Sequence, residues 1–253
     1  MSKDFSEKRI GEIWTSEKGY DFKIIAYRNQ YDIKAKTVLE DGTEWIISTT
    51  YRILKRGKMK TPLERSLYSV GYLGVGIYST EKNKKEYKTW KCMIERCYSE
   101  SFQRRNPTYI GCYVCDEWHN FQNFAKWYNE NYYELDGETM CLDKDILVKG
   151  NKVYSPETCV FAPISINCLF ANSENGRGDL PIGVRRSRNK YSSYAFINKK
   201  STYLGCFNTP EDAFYAYKKA KEDYIKQVAD QYKDKIPHKL YDAMYRYEVE
   251  ITD

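Results

Sequence analysis

The chain has 253 residues, 42% of them apolar, with a mean hydropathy of −0.75, which suits one large or two to three small cored domains and speaks against a membrane protein. Eight cysteines are too few for a disulfide scaffold, and the N-terminal MSKDFSEKRIGEIW lacks both the apolar core of a signal peptide and the acid-poor character of a transit peptide. A cytoplasmic chain is therefore expected, its cysteines free thiols, small core residues or metal ligands. Lys and Arg number 41 against 35 Asp and Glu, and the whole excess of six lies between Gly183 and Pro210, where there are six basic residues and no acid. Such focusing is the electrostatic footprint of a nucleic-acid face, and equally of a solvated basic surface.

Along the first 60 or so residues, YDFKIIAYRN and YDIKAKTVL alternate apolar and polar side chains, and an EDGT turn precedes EWIISTTYRI. Period-two alternation between turns predicts short antiparallel strands, hence a small β-rich module over 1–75. Lys55, Arg56, Lys58 and Lys60 give this module a basic edge. The glycine-punctuated GYLGVGIYST that follows reads as a linker.

From about 86 to 133 the period becomes helical. Trp90, Met93, Ile94 and Cys97 fall at i, i+3, i+4, i+7, and Phe121, Phe124, Trp127 and Tyr128 repeat that spacing, so both stripes are expected in a core. Cys92, Cys97, Cys112 and Cys115 form a C-x4-C and a C-x2-C pair; four such thiolates can hold a structural Zn2+, and Cys97 equally continues an apolar stripe.

The segment CLDKDILVKGNKVYSPETCVFAPISINCLF predicts two strands, Cys141 to Val148 and Val153 to Ala162, flanking a KGNK turn and followed by a helix from Ser165. That order brings Asp143 and Asp145 near Asn167, an oxygen-rich cluster suited to Mg2+ or another hard divalent cation. LDKD followed by SPETCVFAPISIN resembles the ββα-metal motif of HNH, or His-Me finger, endonucleases that occur as free-standing genes in phage genomes. The resemblance implies Asp143 and Asn167 as metal ligands, and a general base at the position occupied here by Lys144 instead of the family's histidine. Neither His119 nor His238 falls in the motif. An ordinary lysine is neutral in only about one molecule in 2,500 at pH 7, a penalty of roughly 4.6 kcal/mol for a base. Lys144 is thus a catalytic residue with a lowered pKa, a phosphate clamp, or a mark of an inactive site.

The basic segment follows. Gly183-Val184, Ala195-Phe196-Ile197, Leu204-Gly205-Cys206-Phe207, Thr209-Pro210-Glu211-Asp212-Ala213 and Ala216-Tyr217 stand in the order and spacing of an AP2/ERF DNA-binding domain, which this region of about 45 residues resembles. The resemblance implies a three-stranded sheet packed on one helix and laid in the DNA major groove, with Arg185, Phe196, Asn198 and Tyr203 at contact positions. Arg186, Arg188, Lys190, Lys199 and Lys200 complete the basic set. The family's tryptophans and second-strand glutamate are missing, as Ser193 and Phe196 show, so no sequence preference carries over. In the tail, Leu240, Met244 and Tyr247 predict a docked helix.

The expected fold is therefore α+β: a β module over 1–75, an HNH-like unit over 80–172, a linker over 173–182 and an AP2-like domain with a helical tail over 183–253. The expected function is phage-type, metal-dependent cleavage or nicking of double-stranded DNA in an infected bacterial cell. The alternative is a DNA-binding protein with a retired nuclease core that regulates or inhibits a host nuclease or defence complex.

Overall fold

The computed structural model describes residues 8–171 and 179–253. They form two compact units, one ending at Ile77 and the other running from Tyr78 to Asp253.

In the first unit, β1 (Ile13–Thr15), β2 (Asp21–Asn29), β3 (Asp32–Val38) and β4 (Glu44–Thr49) make an antiparallel meander in chain order. Alternation puts Phe22, Ile24, Ile33 and Ala35 on one face, where they are fully buried together with Leu54 and Met59. The strand expected through EWIISTTYRI ends early. Thr50 caps a short helix, α1 (Tyr51–Lys55), its hydroxyl accepting from the Ile53 N–H, and Leu54 then turns into the core.

The second unit opens with α2 (Lys84–Tyr98), α3 (Glu100–Arg105), β5 (Tyr113–Val114) and α4 (Phe121–Asn131). Both expected stripes are buried: Trp90, Met93, Ile94 and Cys97 on α2 face Phe121, Phe124, Trp127 and Tyr128 on α4. The Trp90 indole donates to the Trp118 carbonyl (2.7 Å), so its polar atom is satisfied inside the aromatic cluster.

Next come β6 (Met140–Asp143), β7 (Val153–Tyr154), β8 (Val160–Pro163) and α5 (Ile164–Asn167). The hairpin expected around KGNK is replaced by another pairing. β6 runs antiparallel to β8 with Asp143 opposite Val160, while β7 pairs in parallel with β5. The cause is local: the Asp143 carboxylate accepts from the N–H groups of Asp145 (2.8 Å) and Ile146 (2.7 Å), which turns the chain at the end of β6.

Finally β9 (Val184–Ser187), β10 (Lys190–Ile197) and β11 (Lys200–Phe207) form an antiparallel sheet with β10 central, packed on α6 (Pro210–Tyr232) and followed by α7 (His238–Arg246). Thr209 caps α6 by accepting from Asp212 N–H, with Pro210 in the first turn. The first half of α6 buries Ala213, Phe214 and Tyr217 against the sheet. Its second half, through Ile225, Val228 and Ala229, shares a core with Val160, Ala162 and Ile166 and with Leu240 and Met244 of α7. The sheet and the strand–loop–strand–helix region thus belong to one unit. Residues 173–178 of the expected linker lie outside the described residues. Among the described residues no helix is long and apolar enough to cross a membrane.

Candidate nucleic-acid interface and the Lys144 loop

Sheet β9–β11 has two chemically distinct faces. Val184, Ala195, Leu204 and Phe207 turn toward α6. The glycine before β9 permits that approach: Gly183 has φ +78°, and a Cβ there would lie 2.2 Å from the Tyr217 ring. Alternation sends Arg185, Lys190, Tyr194, Phe196, Tyr203 and Cys206 to the opposite face. There the Arg185 guanidinium carbon is 4.9 Å from the Tyr194 ring centroid, and Tyr194 in turn lies 5.4 Å from Tyr203, its cross-strand partner. Phe196 is 62% exposed and Tyr203 56% exposed, large apolar rings left in solvent beside cations.

Other expected contact residues are distributed differently. Arg186 pairs with Tyr191 and lies on the helix side of the edge strand, its guanidinium carbon 5.6 Å from that ring. Asn198, which the resemblance puts at a contact position of the second strand with Phe196, is in the turn after that strand. Asn198 (φ 50°) and Lys199 (φ 61°) form the two left-handed positions that join β10 to β11 without splaying them. Arg188 (φ 53°) occupies the other hairpin turn, and Lys200 begins β11. Tyr194 is missed by reasoning from the basic residues and the family anchors, although its i, i+2 spacing to Phe196 assigns both to one face.

At the end of β6, alternation buries Leu142 and Lys144 while Asp143 stays half-buried and Asp145 exposed. The Lys144 ammonium, on a residue only 7% exposed, donates to the Asp145 carboxylate and to the Asn151 carbonyl, both at 2.8 Å. Its nitrogen lies 6.0 Å from the Tyr154 centroid. Asn151 closes the loop from the other side: its carboxamide donates to the carbonyls of Lys144 (2.6 Å) and Val153 (2.7 Å) and accepts from Val153 N–H (3.1 Å). Burial alone would lower the Lys144 pKa, but the hydrogen-bonded Asp145 carboxylate and its charge raise it above the ordinary lysine value. The ammonium therefore stays protonated near neutral pH and serves as a donor. Asp143 is also pushed up, to about 6, by burial and then by the Asp145 charge, which for a carboxylate disfavours the charged form.

No family model, curated protein or solved structure matches the chain.

Asn167 closes α5, which packs against β6 and β8, and its carboxamide makes no hydrogen bond among the described residues. Asp143 and Asn167 are thus carried by neighbouring elements, while Asp145 is committed to Lys144. Among the described residues no three His, Cys, Asp or Glu side chains converge as a metal-binding group. Of the candidate zinc thiols, Cys97 and Cys112 are buried, Cys92 and Cys115 half-buried. Burial, then the neighbouring Cys112, pushes the Cys97 thiol up to about 12, and the Cys112 Sγ faces the Thr108 carbonyl. His119 is buried beside the Val114 carbonyl (3.1 Å), and His238 pairs with Asp242 (2.8 Å); neither histidine is in the Lys144 loop.

Proposed function

We propose that the chain binds double-stranded DNA with the face of β9–β11 turned away from α6, and that it carries an HNH-like unit whose base position is filled by a structural lysine. One observation carries the first part: the contiguous Arg185–Tyr194–Tyr203 cluster with exposed Phe196 on the solvent face of the sheet, where a cation and aromatic rings stand ready to meet base edges and phosphates. Arginine recognises guanine edges, and lysines at the rim neutralise phosphates. The left-handed turns add support. Arg188 and Lys199 place cations at turn positions that glycine or asparagine fill at lower conformational cost.

The strand–loop–strand–helix order of 140–167 supports the HNH-like reading. Lys144 favours its retired form, a DNA-binding regulator or an inhibitor of a host nuclease or defence complex in phage-infected cells. An ammonium buried against Asp145 and the Asn151 carbonyl has no free lone pair for an attacking water. A working endonuclease or nickase is the second reading, favoured by Asp143 and Asn167 standing on the packed elements β6 and α5. The remaining Asp143 oxygen and the Asn167 carboxamide are the donor type that Mg2+ takes, and an ion held there would polarise a phosphodiester oxygen.

Duplex binding by fluorescence anisotropy tests the proposal. Arg185→Ala combined with Tyr203→Ala should weaken binding by at least about tenfold, the scale of one lost bidentate contact, while Arg186→Ala on the helix side stays near wild type. Equal losses in both variants would remove the assignment of the face. Incubation of the wild type with supercoiled plasmid and Mg2+ or Mn2+ separates the two forms: nicked circles that disappear in Asp143→Ala would establish the working nuclease.

A further inference from the structure

We infer that residues 51–65, the segment that follows the N-terminal sheet, form a second DNA-phosphate contact, an inference that rests on the DNA-binding reading. Charge points to this segment. It holds six Lys or Arg and one acid, Glu64, against eight basic and nine acidic residues in the rest of residues 1–77. With 51–65 and 183–210 set apart, the remaining chain has 29 Lys or Arg and 34 Asp or Glu. Each unit therefore concentrates positive charge in one short stretch of an otherwise net-acidic chain.

The local backbone gathers these cations and turns them outward. Arg52, Lys55 and the capping residue Arg56 stand at i, i+3, i+4 of α1 and are exposed, while Leu54 between them is buried. Gly57, at φ +62°, then reverses the chain. Its N–H donates to the Leu54 carbonyl (2.9 Å) and the Lys58 N–H to the Ile53 carbonyl (3.1 Å), the paired bonds of a Schellman motif, so Lys58 returns to the last turn of α1. A Cβ at position 57 would lie 3.3 Å from backbone atoms of Thr15 and Glu17, a second reason for glycine at the reversal. Beyond it, Lys58 and Lys60 are exposed on either side of buried Met59. Lys58 pairs with Glu17 (3.0 Å), and the Glu64 carboxylate accepts from the Thr61 N–H (2.9 Å). Arg52, Lys55, Arg56, Lys60 and Arg65 form no ion pair among the described residues, all five being exposed.

The occupant follows from this chemistry. Like charges at i, i+3 and i, i+4 repel, and the closed turn presents a positive potential that a polyanion relieves. Leu54 and Met59 lie in the core, leaving Ile53 and Leu63, 38% and 40% exposed, as the large apolar side chains on the outside, too few for an acyl interface. Lysine, which the cores of protein–protein interfaces disfavour and which binds phosphate as a point charge, supplies three of the six cations. A duplex backbone is the polyanion that exposed, unpaired cations of this kind suit.

The test uses the full chain and a random-sequence duplex, with affinity followed against salt concentration. In an Arg52→Gln, Lys55→Gln, Arg56→Gln, Lys60→Gln variant the log–log salt slope should become shallower by about 1.8 to 3.6, corresponding to two to four lost phosphate contacts. The wild type supplies a readout that needs no substitution: saturating duplex should protect Lys55 and Lys60 from acetylation. Labelling of both at the rate of the free protein, or a wild-type slope in the glutamine variant, overturns the inference; a slope reduced only in Arg185→Gln/Lys190→Gln/Lys199→Gln leaves the C-terminal face standing alone. The reverse pattern upholds the segment and removes the C-terminal face, and a wild type without salt-dependent binding overturns both. Binding to phosphatidylserine vesicles that the glutamine variant loses, with its duplex slope unchanged, overturns the inference in favour of a membrane surface.

Discussion

Lys144→Met keeps the length of the buried stem and removes the ammonium. The Asn151 carbonyl then loses a charged donor worth about 1.5–3 kcal/mol, while the half-exposed Asp145 carboxylate returns to water at a cost of about 1 kcal/mol or less. Methionine escapes the burial of a charge, which offsets part of this, so a net loss of about 2 kcal/mol is expected. For a unit of this size that corresponds to a fall of about 4–8 °C in Tm, readable by calorimetry or circular dichroism. The difference should also depend on pH with a definite sign. A lysine whose pKa is raised on folding contributes its full stabilisation below the unfolded value of about 10.4, and that contribution is lost only as pH rises through the higher folded value. Wild type and variant should therefore differ equally at pH 8 and pH 9, above the range in which the neighbouring Asp143, raised to about 6, changes its charge, and converge in stronger alkali. An unchanged or raised Tm in Lys144→Met would refute the structural role and favour a strained functional lysine, because residues held for chemistry commonly cost stability.

Gly183→Ala should destabilise the sheet–helix packing by at least about 1–3 kcal/mol, since the new methyl would meet the Tyr217 ring at 2.2 Å on a left-handed backbone; a Tm within 1 °C of wild type would contradict this. Asp143→Asn keeps a carbonyl oxygen for the Asp145 and Ile146 N–H groups and removes a carboxylate whose pKa is raised to about 6. It should be more stable than wild type at pH 7, where the native carboxylate is charged at a cost, and equal to it near pH 3, where both forms are neutral. In thiol labelling of the native protein at pH 8, the exposed Cys168 and Cys206 should react quickly, while Cys97 and Cys159, both pushed up to about 12 chiefly by burial, should stay unlabelled until unfolding.

Features fixed by local period were legible in the sequence. The stripes on α2 and α4 place Trp90 and Phe124 in the core through i, i+3, i+4 spacing alone, and alternation separates Phe22 from Lys23 without any knowledge of partners. Pairing was less accessible. Val153 and Tyr154 have the residue types of a hairpin arm, yet their partner is Tyr113–Val114, some forty residues earlier, and no local pattern encodes that choice. The Asp143 turn could have been anticipated, because aspartate commonly accepts from the amides that follow it. In the basic sheet, counting cations grouped Arg185 with Arg186, although alternation from buried Val184 sends them to opposite faces. The opposition of Lys23 and Lys36 across β2 and β3 was invisible until the register was known.

Cys206 offers the most direct test of the proposed DNA face. It lies opposite Ser192 in the register and shares the side of Tyr194 and Phe196, so a duplex seated there must cover its thiol. Alkylation of Cys206 should slow by at least about tenfold when saturating duplex DNA is present, and the protection should vanish at a salt concentration that releases the DNA. Labelling of Cys206 at the same rate with and without bound duplex would contradict the assignment of this sheet face as the DNA-binding surface.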